Sequence, residues 1–165
     1  MSTHLVWFFL FPMLFLHGDF LLQPKGIKHM QLTLIKNTDL YATDAYKIAR
    51  TVYAQTGAVT LPLVEAMTSM IENISKRTGV GVVDVANNKN IFPVLNSESP
   101  FHHRLNVCAT DSKFQMCVRV ASRMLSGGLG DCCYGATCFH NADELPTWAI
   151  SRGYIADIDD VLFYL

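Results

Sequence analysis

TLPLVEAMTSMIENISKRTG, residues 60–79, is the stretch whose reading decides the fold. Leu63, Ala66, Met67, Met70, Ile71 and Ile74 recur at the spacing that lines up on one face of a helix. Thr60 can cap its start and Pro62 is tolerated in its first turn. Lys76 and Arg77 suit the negative end of the helix dipole, and Gly79 ends the pattern. A helix with so wide an apolar stripe must be buried against others.

Working outward, Thr43 is a candidate cap for a preceding helix over about Asp44–Ala54, with Ala45, Ile48, Ala49 and Val52 facing inward and Gly57 as the break. Val82–Ala86 adds a possible helical turn. The polar stretch from Asn87 to Pro100, with Pro93 and Pro100, reads as loop. Asp111 or Ser112 caps a third helix that buries Phe114, Cys117, Val118, Ala121, Met124 and Leu125, and Ser126-Gly-Gly128 ends it. Residues 134–141 read as extended, Trp148 follows a proline-bounded turn, and Tyr154 to Leu165 reads as two short strands around Asp159-Asp160. The fold class predicted is α+β, with a mainly helical core and a short C-terminal β-hairpin.

The chain of 165 residues is apolar but globular: half its residues are hydrophobic and 16% are charged. A net charge of −1 and the lack of any clustered Lys/Arg run argue against nucleic acid as a partner. Residues 5–22, LVWFFLFPMLFLHGDFLL, have three readings: a signal peptide without a cationic start, a weak membrane-associating segment interrupted by Pro12, His17, Gly18 and Asp19, or an upstream extension before a start at Met30. The domain is accordingly expected at 30–165, with 1–29 as a separate apolar segment. Export would place the protein in the cell envelope or periplasm, and a start at Met30 in the cytoplasm.

Five cysteines without regular spacing make a poor disulfide framework. Reduced thiols are one reading; a bridge from Cys132 or Cys133 to Cys138 after export is the other. Cys132, Cys133, Cys138 and His140 lack a CxxC knuckle, so no metal site is assigned, and no cofactor motif is present.

Ala49-Arg-Thr-Val-Tyr-Ala-Gln-Thr-Gly57, running on to Glu72-Asn73, is similar to a Tyr-Ala-Glu helix end followed at fixed distance by a helix ending Val-Ile-x-Asn. Gly135-Ala-Thr-Cys-Phe-His-Asn141 with Trp148 downstream is similar to a Gly-Ala-x-x-Phe-x-Asn segment followed by a tryptophan, and Phe114-Gln115 matches between them. In these segments the chain resembles the SleB-like cell wall hydrolases, which implies a lysozyme-like or lytic-transglycosylase-like domain acting on peptidoglycan glycan strands. Such cleavage needs a carboxylic acid to protonate the leaving oxygen.

The chain departs from that pattern at the position of the acid, which is Gln55, and at a second acidic position, where Ala58 and Val59 stand. An amide has no proton to give at neutral pH. Glu65 is the expected substitute acid if it reaches Gln55 across a helix contact; its plainer reading is a surface charge, as for Glu72. Gln55 itself either bonds a sugar hydroxyl or pins a loop. Asn73, Gln115, His140, Asn141 and Trp148 are the expected substrate contacts. Each has a structural alternative: a loop tie for Asn73, a hydrogen-bonded core imidazole for His140, a half-buried core indole for Trp148. Two functions follow from the resemblance: a glycan-strand hydrolase with an impaired site, or a non-catalytic peptidoglycan-binding scaffold.

Overall fold

The computed structural model describes residues 43–165. The apolar segment 5–22, the Met30 boundary and the alternating Gln31–Ile35 stretch lie outside the described residues.

Four helices carry the core: α1 (Asp44–Thr56), α2 (Leu61–Thr78), α3 (Val82–Ala86) and α4 (Ser112–Leu125). Their ends are set by local chemistry. The Thr43 hydroxyl accepts from the Tyr46 N–H, that of Thr60 from Leu63, and the Asp111 carboxylate from Phe114 at 2.8 Å. Each cap of this kind is worth about 1 kcal/mol. Gly57 and Gly79 stop α1 and α2 in the left-handed region, at φ 62° and 75°. α1 runs two residues past the expected Ala54, because the glycine rather than the fading apolar pattern ends it.

α2 buries Leu63, Val64, Ala66, Met67, Met70 and Ile71 almost completely. α4 lays Phe114, Cys117 and Ala121 against α1, where Phe114 meets the edges of Tyr46 and Tyr53 at ring distances of 5.0 and 5.8 Å. Leu125, expected inside, is exposed at the fraying end of α4. The connection from α3 to α4 is not plain loop: it tightens into 3₁₀ turns at Pro93–Leu95 and His102–Asn106, and buries Phe92 and Val94.

The C-terminal hairpin exists as β2 (Ala156–Ile158) and β3 (Val161–Tyr164), with Asp159 and Asp160 both at positive φ in its tight turn. It is part of a larger unit. β1 (Cys138–Asn141) pairs antiparallel with β3, giving a three-stranded sheet in the order β1-β3-β2. Phe139 lies opposite Phe163, and His140 opposite Leu162. The Thr60 hydroxyl that caps α2 also donates to the Asp159 carboxylate, so the hairpin turn is tied to the start of α2. The protein is a mainly helical α+β fold with a small antiparallel sheet. Among the described residues no helix is long and apolar enough to cross a membrane.

Candidate functional site

Gln55 occupies the last turn of α1, where the chain turns through Gly57 and Ala58 toward α2. Thr56 holds this turn: its hydroxyl donates to the Val52 carbonyl at 2.7 Å and accepts from the Ala58 N–H at 3.0 Å. The Gln55 side chain lines two adjoining cavities. One, of about 330 Å³, is also lined by Phe101, Phe139, His140, Asn141, Glu98 and Glu144. The other, of about 770 Å³, shares Gln55, Phe101 and Asn141 with it and adds Arg104, Asp143, Asp159 and Asp160. A third, of about 300 Å³, continues from the first through Phe139, His140 and Glu144 to Thr137 and Trp148. Shared walls make these one elongated groove, and each part has the size of a small-ligand site.

The Gln55 Oε1 atom is shut off from solvent and accepts no hydrogen bond from the protein. Arg50 Nε, a donor, and Thr51 Oγ1 are likewise buried without a hydrogen-bond partner, but neither residue lines the two cavities that meet at Gln55. A buried acceptor left unmet costs about 1–3 kcal/mol, and a ligand donor in the groove relieves that cost only where the Gln55 side chain turns its carbonyl outward.

Asn141, at the end of β1, donates from Nδ2 to Glu144 Oε1 at 3.2 Å, which points the Glu144 carboxylate along the same wall. His140 is buried, 5% exposed, although its edge reaches the groove. Its Nδ1 lies 2.8 Å from the Asn141 carbonyl and its Nε2 lies 2.8 Å from the Tyr164 hydroxyl. The imidazole stacks on Tyr164 and meets the edge of Trp148. His140 is thus a fully hydrogen-bonded pillar of the groove rather than a free contact. Trp148 packs edge-on against Tyr164 and is 38% exposed, so one part of the indole is core and the other is groove wall.

Three residues expected at the site are employed elsewhere. The Glu65 carboxylate accepts from Arg123 Nη1 of α4 at 2.7 Å and lines neither cavity that Gln55 lines. Its place on α2, off the apolar stripe, turns it toward α4 instead. Gln115 donates to the Ala109 carbonyl and closes the turn before α4. Asn73 donates from Nδ2 to Asp131 Oδ1 at 3.2 Å and to the Ala136 carbonyl at 3.4 Å, the loop-tying role. Asp131 completes that tie by accepting from Ser69 and from the N–H groups of Cys133 and Gly135. Burial works to raise its pKa, but these hydrogen bonds outweigh burial and hold the carboxyl below its ordinary value. The loop it anchors runs straight into β1, so Asp131 and Asn73 set where Phe139, His140 and Asn141 stand.

The carboxyls that do share the groove with Gln55 are Glu98, Glu144, Asp143, Asp159 and Asp160. None was singled out as a site residue from the sequence. Asp159 and Asp160 showed there only as turn residues, and Glu98 and Glu144 carried no signal, because their loops converge only through tertiary packing. All five cysteines are free thiols, with Cys133 Sγ receiving the Asn73 amide at 3.4 Å.

Fold and groove together define a class: a mainly helical α+β domain with an elongated cleft walled by amides, carboxylates and aromatic rings. No family model, curated protein or solved structure matches the chain.

Proposed function

We propose that this is a cell wall hydrolase-like protein of the SleB-like type whose groove binds peptidoglycan glycan strands, with Gln55 in the seat of the acid and cleavage impaired. The observation that carries the proposal is the Gln55 side chain, which walls both cavities and whose Oε1 has no partner within the protein. A glycan strand offers hydroxyl and N-acetyl N–H donors for an amide that turns toward the groove. The apolar faces of its sugar rings suit Trp148 and Phe101, both partly exposed. An amide in this seat can recognise a sugar but cannot protonate a leaving oxygen.

The test is co-sedimentation with purified sacculi, with released muropeptides measured in the same samples. Wild-type protein is expected to bind without release, and Gln55→Ala to weaken binding. Gln55→Glu is expected to switch on cleavage, since it restores a carboxyl in a partly buried seat beside other carboxylates, where its pKa is raised. Absence of binding to sacculi overturns the proposal.

A second reading, an active glycosidase, is favoured by one observation: Glu144 and Glu98 line the same cavity as Gln55, and Asn141 orients Glu144. Two carboxyls across a glycosidic bond are the usual equipment for hydrolysis. Muropeptide release by the wild type that disappears in Glu144→Gln would establish this reading in place of the first.

A further inference from the structure

One side chain, Arg104, bridges Phe101 and the turn that carries Gln55. It belongs to the 3₁₀ turn His102–Asn106, which Phe101 precedes, and its backbone N–H donates to the Phe101 carbonyl at 2.9 Å. Residues three apart in such a turn stand over one another. The Arg104 guanidinium accordingly lies over the Phe101 ring, 4.1 Å from its centroid. The same group packs against the end of α1. A Cβ placed on Gly57 would stand 3.1 Å from Arg104 Nη1 and 3.6 Å from its Cζ, so only glycine admits the arginine this closely. The last turn of α1 has no basic residue of its own, and a cation from elsewhere suits its negative end. Asp143, Asp159 and Asp160 line the same cavity, yet among the described residues Arg104 forms no ion pair.

Gln55, two residues before Gly57, and Phe101 both line the two adjoining cavities of the groove. Phe101 is 41% exposed, and the 3₁₀ turn after it contains no buried residue. Packing alone therefore holds this aromatic wall loosely. We propose that Arg104 is the positioning residue of the groove: by touching both Phe101 and Gly57 it sets the gap between the aromatic wall and the Gln55 turn, and so preorganises the site for a sugar ring. The inference rests on the glycan-binding function proposed above and adds to it what keeps the site in shape. A sugar that stacks on Phe101 while its edge meets the Gln55 turn needs the two at a fixed separation. Ordering that wall only on binding would weaken affinity. A cation over an aromatic face counts for more where water is kept from it, and Arg104 is half-buried.

The experiment is a double-mutant cycle on the full chain, with affinity for purified sacculi read by co-sedimentation across a range of sacculus concentrations. Arg104→Met keeps the aliphatic stem and removes the cation; Phe101→Leu removes the ring at a partly exposed place. Arg104→Met is expected to weaken binding about three- to tenfold by itself, and to have no further effect beside Phe101→Leu. A residue that acts through Phe101 has nothing left to hold once the ring is gone. Proton spectra add a signature that stability alone does not move: the Arg104 side-chain signals should be shifted upfield by the ring, and the shift should vanish in Phe101→Leu. An equal loss of affinity in both backgrounds makes Arg104 a direct ligand contact and overturns the positioning role. No loss in either background overturns it too, as does the absence of the ring shift, and all three results leave glycan binding standing. Failure of the wild-type protein to bind sacculi overturns the glycan reading and this inference together, and is seen before any variant is measured.

Discussion

His140 and Tyr164 share a hydrogen bond across the sheet, with the imidazole Nε2 2.8 Å from the phenol oxygen and the two rings stacked 5.2 Å apart. The pair joins β1 to β3 on the face that supports Trp148, so one wall of the groove depends on it. Tyr164→Phe keeps the ring and removes the partner of a buried nitrogen. It is expected to destabilise the domain by about 1–3 kcal/mol, the cost of a buried polar atom left unmet. Urea denaturation of the two proteins measures this; equal midpoints and slopes would show that Nε2 needs no partner.

Glu65→Gln removes one charge of the ion pair with Arg123, whose side chains are 21% and 52% exposed. A pair this open to water contributes at most about 1 kcal/mol. The variant is therefore expected to lose little stability, and to bind sacculi as the wild type does because Glu65 lies outside the Gln55 cavities. A loss of sacculus binding or of any muropeptide release in a folded Glu65→Gln protein would return this residue to the site.

Asp131 makes stability depend on acid. Burial would raise its pKa, but the donors Asn73, Cys133 N–H, Gly135 N–H and Ser69 outweigh that and bring the folded-state value below the unfolded one near 3.8. The ionised carboxylate therefore adds stability that is fully present above the unfolded value and is lost as pH falls through the folded one. Asp131→Asn is expected to lower stability at neutral pH and to flatten the acid limb of a stability–pH curve. An unchanged limb would assign the acid sensitivity to other carboxyls.

Thiol labelling should separate the cysteines by environment. Burial pushes the thiols of Cys117 and Cys133 up to about 12, and both lie in the core. The exposed Cys108 is lowered, chiefly by the hydroxyl of Thr110 at 3.1 Å. Since the thiolate is the reactive form, a neutral-pH alkylating reagent is expected to modify Cys108 first, and Cys117 and Cys133 only after denaturation. Peptide mass spectrometry reads the order; early modification of Cys117 would mean that α4 opens locally.

Much of this architecture was legible in the chain because it is local. Thr43, Thr60 and Asp111 cap helices, and Gly57 and Gly79 stop them, as their positions beside apolar stripes indicate. The hairpin around Asp159-Asp160 was legible for the same reason, its turn and strands being neighbours in sequence. The pairing of β1 with β3 was not, since two extended segments twenty residues apart carry no mark of whom they pair with. The site divides in the same way. Asn73, expected at a helix end, suggested a loop tie; it lies five residues before the end of α2 and ties the Asp131–Ala136 loop. Glu65 gave no sign that Arg123 would claim it, and Glu98 and Glu144 gave none that they would join Gln55 in one cavity.

By itself the sequence determined the helices, their ends, the amide at Gln55 and the polar and aromatic residue types available to a ligand. These follow from periodicity and from side chains that bond their own neighbouring backbone within a few residues. Only the tertiary structure decided which of those side chains were already taken, and that His140 is locked to Tyr164. Whether a polar group is free for a ligand depends on partners brought to it from distant parts of the chain, and distance in space is what a linear pattern does not record.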